Sequence, residues 1–117
     1  MSGRKNVLLP FKLLDSVSLA ASFSSEPVTI QYLDNIGITL QCTGITANTG
    51  SFRIECSVDG DLWVDIGVTP SISLANTNDN IIINLSQLPF SKLRVAFTPA
   101  GSTPNGVVVG YITGKML

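Results

Sequence analysis

Four carboxylates, Glu55, Asp59, Asp61 and Asp65, crowd into one short stretch of this chain. Acidic residues at such spacing can do two kinds of chemistry. Several oxygens converging from a loop can hold calcium, but Asp59-Gly60-Asp61 lacks the third acidic position and the closing glutamate of an EF-hand loop. A pair of carboxylates can cleave a glycosidic bond, one as acid and the other as nucleophile or base. Against both stands a plainer reading. Asp-Gly is a turn dipeptide, and Asp bonds its own backbone there. Glu55 and Asp65 alternate outward on neighbouring strands together with Arg53 and Arg94, so cross-strand ion pairing accounts for all four. Catalysis is not expected.

The remaining reactive types are sparse. There is no histidine, which excludes histidine-dependent triads, imidazole metal ligands and histidine pH switches. Cys42 and Cys56 form no CxxC pair and are too few for a disulfide scaffold or a zinc set. Both fall on inward-facing strand positions, where a thiol serves as a small apolar residue. A Cys42–Cys56 bridge would need a long connection centred near Thr49. Trp63 has two readings. Strict alternation puts it on the face of Asp61 and Asp65, as a platform for a sugar ring or a protein partner. An irregular strand start would instead tuck it under a loop. Trp63, Asp59, Asp61 and Arg94 are the candidate surface contacts; no metal or other cofactor is expected.

The elements that must position these residues are strands. Ile36, Ile38, Leu40 and Cys42 alternate with polar or small residues, as do Phe52, Ile54, Cys56 and Val58, then Leu62, Val64 and Ile66, and Leu93, Val95 and Phe97. Each run predicts a strand with one face buried and one wet. Val17 to Phe23, Val28 to Tyr32, Ile81 to Leu85 and Val107 to Ile112 add four more. Turn residues separate them at Asp34-Asn35, Ala47 to Gly50, Asp59-Gly60, Asn76 to Asn80 and Pro99 to Gly106. Asp59-Gly60, joining two alternating runs, predicts a tight hairpin. Pro10 makes Val7 to Leu14 an extended arm or edge strand rather than a helix. Lys12 and Asp15 interrupt that apolar stretch, so a secretory signal is not expected. The reading is all-β: a single antiparallel sandwich or jelly roll of about eight strands, residues 15–117, preceded by an arm or edge strand, residues 1–14.

Composition narrows the partners. The 117 residues suit one domain. Only 13% are charged, 44% are hydrophobic, and the net charge is −1. This balance argues against disorder and against a broad electrostatic grip on nucleic acid or an anionic membrane. The basic residues are scattered, with Arg4, Lys5 and Lys12 at the N-terminal end. With so few charges, the surface must be coated by uncharged polar and some apolar side chains. Such a coat suits either a monomer with a polar skin or, preferably here, a surface that is largely interface. Val7, Leu8, Leu9 and Phe11 are the expected anchors of an assembly arm.

Three stretches carry a resemblance: Ser57 to Asp65, then Asn84 to Phe90 running into Leu93 to Thr98, and Gly101 to Lys115. Together they resemble small β-sandwich proteins of bacteriophage structural gene modules, over about the last two thirds of the chain. That resemblance implies a non-enzymatic virion structural protein, made in the host cytoplasm. It would act as a capsid decoration, neck or tail component, with other copies of itself and other virion proteins as partners. The Ser-x-Asp-Gly-x-x-Trp stretch followed by Leu-Arg-Val also resembles discoidin-type jelly rolls, which implies a glycan- or surface-binding module. This chain is shorter than those domains, and its cysteines do not sit near the termini.

Overall fold

The computed structural model describes residues 7–31, 33–45, 50–67, 78–86, 88–101 and 104–115. Residues 47–49 and 76–77 of the expected turns, and the basic pair Arg4 and Lys5, lie outside them, whereas Asn78 to Asn80, expected in a turn, belong to a strand. The described residues form strands and no helix: β1 (Val7–Ser18), β2 (Phe23–Ser24), β3 (Val28–Thr29), β4 (Asn35–Thr43), β5 (Gly50–Ser57), β6 (Val64–Asp65), β7 (Asn78–Ser86), β8 (Lys92–Pro99) and β9 (Val107–Lys115). One sheet runs β1-β9-β4-β7. The other runs β2-β8-β5-β6, with β3 also paired to β8. All pairings are antiparallel. The chain stays in one sheet only from β2 to β3 and from β5 to β6, and changes sheet at every other connection. This is a β-sandwich.

Alternation builds the core directly. Ile36, Ile38, Leu40 and Cys42 point inward from β4, as do Phe52, Ile54 and Cys56 from β5, Leu93, Val95 and Phe97 from β8, and Val108 and Ile112 from β9. Burying each large apolar side chain contributes about 1.5–3 kcal/mol. Phe97 stacks on Phe23 at 5.3 Å between ring centroids and tilts against Phe52 at 4.9 Å, which fixes the centre of the second sheet. At the start of β5, Gly50 has φ +138°. A Cβ there would collide with the Thr98 carbonyl oxygen and stand 2.8 Å from Pro99 Cα, so only glycine lets β5 and β8 meet at this point.

Several strand expectations are corrected. Val17 to Phe23 is not one strand. β1 ends at Ser18, and Leu19 turns inward, donating its N–H to the Gly106 carbonyl at 2.9 Å. Of the strand expected over Val28 to Tyr32, Val28–Thr29 form β3 while Ile30 and Gln31 do not continue it, and Tyr32 lies outside the described residues. Asp59-Gly60 is not a tight hairpin, because residues 58–63 form a longer loop between β5 and β6. Leu62 and Val64, expected inside, are 72% and 46% exposed, and Val58 is 70% exposed. The alternation fails there because the loop resets the phase before β6 begins. Ala96, expected on the wet face, is buried; β8 is a central strand, and Arg53 and Ser24 flank Ala96 in register.

Candidate functional site

The candidate surface residues gather at one end of the second sheet. Register comes first: Glu55 of β5 stands opposite Arg94 of β8 on one side and Asp65 of β6 on the other. Arg94 Nε donates to Glu55 Oε1 at 2.8 Å, and Arg53 Nε, two residues along the same strand face, donates to Oε2 at 2.9 Å. Arg53 also donates through its guanidinium to Thr98 Oγ1 at 2.6 Å. Partial burial pushes the Glu55 carboxyl up, but the hydrogen bonds and charges of Arg53 and Arg94 outweigh it and hold the group below its ordinary value. A general acid needs the opposite shift.

Trp63 joins this cluster from the loop. It is half-buried, and the Arg94 guanidinium carbon lies 4.3 Å from its ring centroid, a cation–π contact that occupies one ring face. The loop beneath is held by Asp59. Its Oδ1 accepts the N–H groups of Asp61 at 2.9 Å and Leu62 at 3.0 Å and the Ser57 hydroxyl at 3.0 Å, while Gly60 donates to Ser57 Oγ at 2.8 Å. These bonds hold the Asp59 carboxyl below its ordinary range. Asp59 and Glu55 are therefore engaged within the protein, and among the described residues no three His, Cys, Asp or Glu converge on a point where a metal ion could sit. What this loop and the start of β6 offer a partner is mixed: the apolar Val58, Leu62 and Val64 are exposed beside Trp63, and so are Asp61 and Asp65.

The expected arm residues lie on the other sheet. Val7, Leu8 and Phe11 pair through the backbone with Lys115, Gly114 and Ile112 of β9, and Leu9 falls at a register shift between Leu8 and Phe11. β1 continues past residue 14 without a break, and its Leu13 and Leu14 are in the core. The two sets of candidate residues are thus not brought together. Cys42 and Cys56 are buried on strands of different sheets and are not bridged. Burial pushes the Cys56 thiol up to about 11.

Two features had no clear signal in the sequence. A depression of about 590 Å³ opens on the first sheet, lined among others by Asn35, Gly37, Asn84, Ser86, Thr113 and Lys115. It offers amides, hydroxyls and one amine. The other is Ile82, at the middle of β7 and 70% exposed.

No family model matches the sequence, and no curated protein matches it. Solved structures do match the fold. The SPBc2 prophage-derived protein YomS is 8% identical with a TM-score of 0.62, covering 97% of each chain. The VP2 subviral particle of infectious bursal disease virus is 10% identical at TM-score 0.60; 98% of this chain corresponds to 33% of VP2. The PRD1 vertex protein P5 is 9% identical at 0.53, covering 97% of this chain and 96% of that one. The enzymatically active domain of a bacteriophage CBA120 tailspike also matches, 12% identical at 0.56, over 81% of this chain and 14% of that one. At such identities the shared property is the fold: an antiparallel β-sandwich that recurs in phage and viral proteins.

Proposed function

We propose that this chain is a non-enzymatic virion structural protein, a rigid sandwich brick present in multiple copies as a capsid-associated, neck or tail component. The observation that supports it most is the likeness of nearly the whole chain to a prophage-derived protein, a viral particle subunit and a phage vertex protein. The surface agrees with that role. It is poor in charge, carries exposed Val58, Leu62, Val64, Ile82, Val107 and Tyr111, and has its main carboxylate locked by two arginines. In this reading the partners are other copies and other virion proteins. The contacts are made by β1, with Val7, Leu8, Leu9 and Phe11, and by the Trp63–Arg94 end of the second sheet. A glycan-binding role for Trp63 is less well supported, because Arg94 already covers one face of its ring.

The test is immunogold electron microscopy of particles from cells that carry the gene, using antibody raised against the purified protein. Gold on the particles at a regular position supports the proposal. Particles that stay unlabelled both intact and disrupted, with the protein abundant in the same cells, overturn it.

A further inference from the structure

A sandwich has sheet edges whose backbone N–H and C=O groups invite another strand, and folded proteins blunt such edges with short strands, prolines, charges or bulges. Among the described residues, all but one of the edges are blunted. In the second sheet the outermost strands β2, β3 and β6 have two residues each. In the first sheet, β1 carries Pro10, Lys12 and Asp15, and its register with β9 shifts at three places. β7 is different. It has nine residues, pairs with β4 in unbroken register from Asn35↔Ser86 to Thr43↔Asn78, and contains no proline, lysine or arginine. Among the described residues no strand pairs with its far side. Its outward face, Asn80, Ile82, Asn84 and Ser86, is exposed, with Ile82 at 70%.

The sequence of β7 says what fits against it. Asn80-Ile81-Ile82-Ile83-Asn84 reads the same in both directions. An antiparallel partner of identical sequence, centred on Ile82, would place Ile82 opposite Ile82, Ile81 opposite Ile83 and Asn80 opposite Asn84. Asp79, the one charged residue of the strand, then falls opposite Leu85 and never meets its like. We infer that β7 is a self-association edge, through which two copies join about a two-fold axis into one continuous eight-stranded sheet. The two exposed isoleucines cover each other at the centre, and the free backbone groups of both edges are paired. The inference rests on the multi-copy reading above for its biological use, but its geometry is independent of it.

Cysteine cross-linking in the full chain tests both the edge and the register, since directly opposed strand residues have Cβ atoms about 4.5–5.5 Å apart, close to what a disulfide needs. Under mild oxidation Ile82→Cys should link to itself. Asn80→Cys and Asn84→Cys should each link poorly alone, and about five-fold better when mixed, because each faces the other. Ala100→Cys, exposed and away from β7, is the control for random collision. Ile82→Lys should keep the strand circular dichroism of the parent and a cooperative melting transition, showing that it folds. Its molar mass should fall about two-fold, to the 12.4 kDa of one chain. Equal cross-linking of Ile82→Cys and the control, or no gain on mixing, overturns the inference. So does a wild-type protein that stays at the mass of one chain at high concentration. Particles that still incorporate Ile82→Lys sink this interface alone. A cross-linked β7 dimer that is absent from particles sinks the virion role alone.

Discussion

Glu55 and Arg94 face each other across β5 and β8, 2.8 Å from Oε1 to Nε, and the same guanidinium lies 4.3 Å from the Trp63 ring centroid. One arginine thereby ties two strands to the loop between β5 and β6. Lysine could not replace it, because a single ammonium lacks the planar fork that bonds a carboxylate while stacking on an indole. Arg94→Ala should uncover Trp63 and lower stability by about 1 kcal/mol. The check is tryptophan fluorescence, simple to read since Trp63 is the chain's single tryptophan. A red shift in the folded variant is expected; an unchanged spectrum would show that Arg94 does not shield the ring.

The clamp on Glu55 has a pH signature. Its carboxyl is held below the ordinary 4.5, so the charged form is favoured in the folded state. The resulting stabilisation is full above that ordinary value and is lost as pH falls through the lowered one. Glu55→Gln should therefore narrow the difference in melting temperature between neutral pH and about pH 3 that the parent shows. Parallel pH profiles of parent and variant would contradict the coupling.

Gly60 sits at φ +83° in the loop that Asp59 caps, and a Cβ there would stand 3.2 Å from Lys92 Cδ. The lysine tip can move aside, so the main cost of Gly60→Ala is the left-handed backbone, about 1 kcal/mol. Amide hydrogen exchange should rise at Asp61 and Leu62, whose N–H groups bond Asp59. Unchanged protection at both amides would show that the loop does not depend on this turn.

Cys56, fully buried with its thiol raised to about 11, should resist alkylation at pH 8 in the native protein and react only as the domain unfolds. Labelling followed by peptide mass spectrometry reads this directly. Fast modification of Cys56 under native conditions would contradict its place in the core.

The parts of this fold legible in the sequence are those where period-two burial meets no interruption. Ile36 to Cys42, Phe52 to Cys56 and Leu93 to Phe97 alternate because each strand lies over one shared core, so each inward side chain is apolar. The Arg53–Glu55–Arg94 pairing was legible for the same reason: outward positions on neighbouring strands meet. Legibility ends where backbone geometry outside the pattern decides. Asp59 organises a loop, not a tight turn, and the phase of Leu62 and Val64 is lost with it. Trp63 could not be oriented from alternation, because its position depends on that loop and on an arginine from another strand. The length of β1 was hidden by its register shifts, and the open edge of β7 is a property of sheet order, which no local pattern contains.

The most direct test of the virion role is quantitative mass spectrometry of gradient-purified particles from cells carrying the gene. The account predicts this chain in the particle fraction, at a fixed ratio to the main particle protein that corresponds to multiple copies per particle. Recovery of the chain only in the soluble fraction, while intact particles lack it, would contradict that role.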